Sequence, residues 1–343
     1  MFCRKTKFAI IPLLKSFPLS FFKARFKKTL IGILYHSISD ESIPHIRNLY
    51  AYRSIKKFEE DMVFMKDNFN LMSYDDIVSC FLKGGALPSN PAFVSFDDGL
   101  KESFTNALPI LKKYDIPCIF FITTNLIDNK EMLYTHKISL CIENIKNCSE
   151  DLLNKIFSII KVKFKRAKKN RNSITRLIRL LNLKDIDTIN TVAKILGINF
   201  SQYLETLTPY LTTEQINTLI SEGNTIGSHG KQHISLGDID RDSAIREITE
   251  SCSFLKSRFN INKMGFSFPF SGNNLDTKRL LKNFEDARSI ELFFDSNGVG
   301  IKNDLIVNRI GIDFVTFRDA NNIDLGEIIK WELLKNTLRF SKK

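Results

Sequence analysis

Residues 93–100 read FVSFDDGL, an apolar run that stops at two adjacent carboxylates, Asp97 and Asp98, and a glycine. Neighbouring like charges repel, and burying either one is costly unless a cation or a proton compensates. Alone, the stretch reads as a strand followed by a solvated Asp-Gly turn. Other apolar runs also close on chemically capable groups: His36 ends ILYH, His229 and His233 follow IGS, Pro269 and Phe270 end MGFSFPF, and Arg309 lies in LIVNRIGI. Each has a plainer explanation, since a lone histidine in an apolar run is more often a satisfied core residue. Two histidines four apart can be an exposed pair on the first turn of a helix. The same spacing also sets both imidazoles on one face, the geometry one metal ion needs. Two histidines and one aspartate suit a divalent metal and leave positions for water and substrate. Such an ion would compensate the carboxylate that binds it and leave the other free to act as a base.

The elements that must position these groups follow an alternating pattern. Strand candidates are 30–37, 92–98, 117–123, 224–230, 264–270, 291–296 and 305–312, with a short one at 70–73. Between them, FEEDMVFMKDN places Phe58, Met62 and Met65 on one helix face, and SYDDIVSCFLKG runs from a serine cap to Gly84. Near-continuous apolar strands separated by helices predict an α/β fold: a distorted (β/α)7-8 barrel of parallel strands. In such a barrel the C-terminal strand ends converge on one mouth, where active sites are assembled. Residues 125–209 break the rhythm with helical segments and basic faces, and are expected to form an inserted helical subdomain. The resulting organisation is a basic amphipathic segment (1–29), a first barrel part (30–124), the insert (125–209), a second barrel part (210–318) and a C-terminal helix (319–343).

The chain has 343 residues, 43% apolar and 26% charged, which is ordinary globular composition. Lysine and arginine outnumber aspartate and glutamate by 50 to 38, and much of the excess lies between Lys146 and Lys184. That balance is compatible with anionic partners, whether membrane headgroups, nucleic acid or acidic glycans. Charge alone does not indicate nucleic acid, and no recognised motif accompanies it. Cys3, Cys80, Cys118, Cys141, Cys148 and Cys252 show no CxxC pairing, so neither a zinc knuckle nor a disulfide framework is signalled, which suits a reducing compartment. At the N-terminus, the apolar run FAIIPLL is short, contains Pro12 and is followed by Lys15, a poor match to a cleaved signal. The segment is expected either to lie on an anionic membrane surface or to pack as a leading helix on the domain.

The motifs and their order resemble the polysaccharide deacetylase family, also called carbohydrate esterase family 4. The family's [TS]FDDG stands here as SFDDG at 95–99, its H-[ST]-x-x-H as HGKQH at 229–233, and its F-x-[YF]-P-[YF]-G as FSFPFSG at 266–272. The resemblance covers about 30–124 and 210–315. It implies Asp98, His229 and His233 as ligands of one divalent metal, zinc in the first place with nickel, cobalt or manganese as alternatives. It implies Asp97 as the base that activates water, and a backbone N–H after Pro269, that of Phe270, as oxyanion donor. Gly230 stands where the family carries a hydroxyl residue. Ser267 stands where many members carry an arginine that steadies the base, and Arg309 is the available substitute. No histidine follows His233, whereas many members take their catalytic acid from a late motif. The early Tyr35–His36 pair resembles the branch acting on exopolysaccharides such as poly-N-acetylglucosamine, which makes His36 the acid.

The expected activity is metal-dependent removal of an N-acetyl group from an amino sugar in a polysaccharide or a lipid-linked glycan. Two other readings share these residues: a deformylase or other amide hydrolase acting on a lipid-linked amino sugar, and a noncatalytic glycan-binding relative. A base has no use in mere binding, so Asp97 beside the three ligands favours an enzyme. The expected location is the cytoplasm, with peripheral contact to an anionic membrane; an exported enzyme is the alternative.

Overall fold

The computed structural model describes residues 11–273, 275–285, 290–302, 305–315 and 321–340. Residues 1–10 of the N-terminal segment, Cys3 among them, and residues 319–320 and 341–343 of the expected C-terminal helix lie outside the described residues.

Among the described residues, nine strands form one sheet: β1 (Ile31–Tyr35), β2 (Asn70–Leu71), β3 (Pro91–Phe96), β4 (Cys118–Ile122), β5 (Thr225–Ser228), β6 (Phe266–Ser267), β7 (Phe293–Asp295), β8 (Ile301–Lys302) and β9 (Ile306–Gly311). Seven of them, in the order β1-β3-β4-β5-β6-β7-β9, pair in parallel, and β9 returns to β1 to close the ring. β2 joins β3 outside this ring, and β8 is an antiparallel partner of β9. The fold is therefore a closed seven-stranded parallel barrel with helices outside it.

Closure follows from burial on both strand faces. β1, β3, β4 and β9 are buried along their whole length. Alternate residues go to opposite sides: Ala92, Val94 and Phe96 join the large core under the helices, while Phe93 joins Phe121, Phe294 and Val307 in a second cluster. Arg309 lies against this second cluster, its guanidinium 4.9 Å from the centre of the Phe121 ring and 5.8 Å from that of Phe294. Gly32 makes room there: a Cβ would come 2.4 Å from Phe93 Cζ and 2.8 Å from Arg309 Cγ.

Between β4 and β5 the chain forms the helices Tyr134–Ile145, Glu150–Lys163, Arg171–Ile178, Ile186–Ile195 and Phe200–Leu207. Ile142, Ile156, Ile160, Ile174 and Val192 bury one another in a core separate from that of the barrel. The helices Leu19–Arg25 and Leu325–Phe340 meet on the barrel's flank. Lys330 Nζ donates there to the carbonyls of Leu14 and Phe17, at 3.0 and 2.7 Å. Among the described residues, no helix is long and apolar enough to cross a membrane.

Candidate active site

β3 ends at Phe96, and the chain turns at once: Asp98 and Gly99 both take positive φ, 72° and 79°. The Asp97 N–H donates to the Tyr35 carbonyl at 3.0 Å, continuing the β1–β3 ladder one step past the strand. The turn sends the two carboxylates to different partners, which is how adjacent like charges coexist while both are buried.

Asp97 faces Arg309. Nη1 donates to Oδ1 at 2.7 Å and Nη2 to Oδ2 at 2.8 Å, a bidentate pair. Ser267 Oγ accepts from Arg309 Nη2 at 2.6 Å and donates to Asp97 Oδ2 at 3.1 Å. Ser95 Oγ accepts from Nη1 at 3.1 Å and donates to the Ile33 carbonyl at 3.0 Å. Burial pushes the Asp97 carboxyl up, but the Arg309 charge and hydrogen bonds, together with the charges of His229 and His36, outweigh it and hold the group below its usual value. Arg309 is buried behind Asp97 and is not among the residues lining the cavity in front of it. Its guanidinium donates to Asp97, Ser95 and Ser267.

Asp98 faces the histidines. Its Oδ1 lies 3.4 Å from His229 Nε2 and 3.1 Å from His233 Nε2. One ligand atom from each of the three residues falls within 4.8 Å of the others. The helical face expected from the four-residue spacing does not bring the histidines together. His229 follows β5 directly, and residues 229–233 form a loop with Gly230 at φ 80° and His233 at φ 55°. Buried Glu247, from the helix Arg241–Phe259, pins that loop: its Oε1 accepts from the N–H groups of Lys231 and Gln232 at 2.8 and 2.6 Å. His229 Nδ1 lies 2.9 Å from the Ser267 carbonyl. A carbonyl can only accept, so the proton sits on Nδ1 and the Nε2 lone pair faces Asp98.

These residues fit a divalent metal. Among the described residues Asp98 Oδ1 is buried with no hydrogen-bond partner, although a carboxylate oxygen needs one. Two imidazole nitrogens and one carboxylate oxygen are a donor set that zinc and similar ions accept.

His36 leaves the end of β1 and meets Asp313, which follows β9. Asp313 Oδ2 accepts from the His36 backbone N–H and lies 2.8 Å from both that nitrogen and Nδ1. Burial lowers the His36 pKa, but the hydrogen bond to Asp313 and the charges of Asp98, Asp313 and Asp97 outweigh it, raising the group to about 9. These carboxylates favour the imidazolium form of His36.

A cavity of about 350 Å³ joins these groups, with His36, Asp97, Asp98, His229 and His233 in its wall. Phe270 lines it too, at φ 62°, its ring 4.7 Å from that of His233; Pro269 is buried behind. The far wall comes from the insert: Leu133, Tyr134, His136, Ile138, Arg179 and Leu181. Sequence reasoning missed Asp313 and His136. Asp313 carried the signal used elsewhere, a carboxylate just past an apolar strand. His136 carried none, being one polar residue in a helical segment far from the motifs.

The chain is similar to known proteins in family and in fold. The polysaccharide deacetylase family profile matches residues 84–285. No curated protein matches the chain. Similar solved structures include the Streptococcus pyogenes deacetylase PplD in complex with acetate, at 16% identity and TM-score 0.56, covering 90% of this chain and 99% of that one. IcaB from Ammonifex degensii is 13% identical with TM-score 0.53, covering 89% and 97%. A polysaccharide deacetylase from Bacillus cereus is 15% identical with TM-score 0.53, covering 90% and 70%. At such identities these structures share the fold. The profile spans more than half of the chain, so the chain belongs to the polysaccharide deacetylase family and is a hydrolase that deacetylates polysaccharide.

Proposed function

We propose that this enzyme removes the N-acetyl group of an amino sugar in a metal-dependent reaction, with Asp97 as base and His36 as acid. The observation that carries the reading is the division of labour at Asp97–Asp98: one carboxylate is held by Arg309, the other by two histidines. Asp98, His229 and His233 would hold the ion, which supplies a Lewis acid that polarises the acetamide carbonyl and makes water more acidic. Asp97, ionised by Arg309, takes a proton from the water whose oxygen attacks the carbonyl carbon. The backbone N–H of Phe270, at the cavity wall, would be the donor to the oxygen on which negative charge develops. His36, kept protonated by Asp313, gives its proton to the sugar nitrogen as the carbon–nitrogen bond breaks. Acetate and a free amine leave, in keeping with the acetate complex of PplD.

A lipid-linked sugar is the second reading, with acetyl or formyl as the group removed. The insert favours it: its wall is mainly apolar and includes Arg179, so it suits an anionic group next to an apolar one. The corresponding location is the cytoplasmic face of an anionic membrane, met through Phe17 and Phe21.

Metal content by elemental analysis, together with acetate release from N-acetylglucosamine oligomers, tests the proposal. About one metal per chain is expected in both wild type and Asp97→Asn, with release lost only in the variant. Metal without release in the wild type points to another acyl group or a lipid-linked sugar. A folded protein that takes up neither zinc, nickel, cobalt nor manganese refutes the reading.

A further inference from the structure

All five histidines of the chain gather at this cavity. His36, His136, His229 and His233 line it, and the His45 ring lies 5.0 Å from that of His136. The mechanism above uses three of them. His136 comes from the third position of the helix Tyr134–Ile145, so it belongs to the insert and not to the barrel.

Its hydrogen bonding fixes where its proton sits. His136 Nδ1 lies 2.8 Å from Tyr210 Oη, and the two rings stack at 7°. The same oxygen accepts from the Leu133 N–H at 3.0 Å. A phenol has one proton to give, and among the described residues Nδ1 is the only acceptor within reach of this one. Burial pushes the Tyr210 hydroxyl well up, so it keeps that proton. Tyr210 therefore donates to Nδ1, and the ring's own proton must sit on Nε2. Burial also lowers the His136 pKa to about 3, against the pull of the Asp98 charge. The ring is neutral and 1% exposed, and its Nε2–H has no partner among the described residues. A proton on Nε2 also bars that atom from joining the metal ligands.

Resting on the deacetylase reading, we propose that His136 is a substrate-binding residue supplied by the insert, donating its Nε2–H to a neutral acceptor oxygen of the bound sugar, a hydroxyl or a ring or glycosidic oxygen. Tyr210 sets the direction of that donor relative to the reacting groups. Leu100 and Tyr210 form a β-bridge, and the Leu211 N–H donates to the Gly99 carbonyl at 2.9 Å. The phenol that orients His136 is thereby fastened to the turn carrying Asp97 and Asp98.

Two variants separate binding from packing. His136→Phe keeps a ring beside Tyr210 and deletes the donor; His136→Gln restores an N–H at similar reach. On N-acetylglucosamine oligomers, the Phe variant should raise KM about three- to tenfold, the loss of one neutral hydrogen bond, with kcat unchanged. The Gln variant should recover most of that loss. Histidine nitrogen NMR of the wild type, without substrate, should show His136 as the neutral Nε2–H tautomer across neutral pH. An unchanged KM in His136→Phe, or a proton found on Nδ1, overturns the proposal. Wild-type protein that shows this tautomer yet releases no acetate counts against the deacetylase reading, and leaves the assignment of the donor standing.

Discussion

Arg309→Met removes the positive charge behind Asp97 while keeping an unbranched apolar side chain beside Phe121 and Phe294. The wild-type pair is bidentate at 2.7 and 2.8 Å and both partners are buried. Deleting one member of such a pair costs about 3–5 kcal/mol, because the other is left as an uncompensated buried charge. Asp97 can escape part of that cost by taking up a proton. Burial already pushes its carboxyl up, and the charge that most strongly opposes burial is gone. The sign of the pH effect follows. In the wild type the Asp97 pKa is depressed, so its stabilising contribution is present above the ordinary carboxylate value and is lost as pH falls through the folded value. In the variant the folded pKa rises, so at a given pH more of the Asp97 population holds a proton and cannot accept another. Loss of a general base costs about 10²- to 10⁴-fold in rate. The assay is kcat/KM against pH with metal content held equal. The acid limb should move to higher pH, with activity recovering as the buffer becomes more alkaline. A loss of activity equal at every pH would refute the argument, as would wild-type turnover with an unshifted acid limb. Arg309→Lys should fall between, since one ammonium cannot meet both carboxylate oxygens. Adding Asp97→Asn to Arg309→Met should return part of the lost stability, because the stranded charge is then removed.

Asp313→Asn removes the charge and the strongest hydrogen-bond acceptor that hold the His36 proton. The alkaline limb of kcat/KM should move down from the region of pH 9 toward that of an ordinary histidine; an unmoved limb would separate that limb from His36. Because the His36 pKa is raised, its contribution to wild-type stability is complete below about 6.5 and lost as pH rises through about 9, so melting temperatures of wild type and variant should converge on the alkaline side. Gly230→Ala places a Cβ at φ 80°, 3.2 Å from Glu247 Oε1. About 1–2 kcal/mol of stability should be lost, with weaker metal retention in a chelator titration, because the loop carrying His233 is displaced. Phe17 and Phe21 are 54% and 64% exposed beside Lys15 and Lys23. Sedimentation with anionic vesicles should fall when both are changed to serine and when salt is raised, and equal binding of both proteins would remove this segment as a membrane contact.

The apolar runs made the barrel strands legible, because a parallel strand buried on both faces has to be hydrophobic nearly throughout. All eight strand candidates of the sequence carry a strand, and among the described residues only the two-residue β8 went unforeseen. The SFDDG and HGKQH stretches were equally legible, since carboxylates and histidines at the ends of apolar runs are costly without a purpose. His229 and His233 do lie together beside Asp98, but not on a helical face. A loop with two positive-φ residues, pinned by Glu247, does what a helical turn was expected to do.

By itself, then, the sequence determined the class of fold, the family and the residue types of the Asp97, Asp98, His229 and His233 cluster, because burial pattern and motif order are local properties of the chain. Only the tertiary structure decided who stands beside whom. Arg309 meets Asp97 because β9 closes onto β1, with Gly32 opposite Arg309, and β3 lies on the other side of β1. Asp313 reaches His36 across 277 positions for the same reason. His136 enters the site because a helical insert with its own core folds over the mouth of a barrel to which it contributes no strand. Contacts between residues far apart in the chain leave no periodicity in the sequence; closure of the ring and the placement of the insert create them.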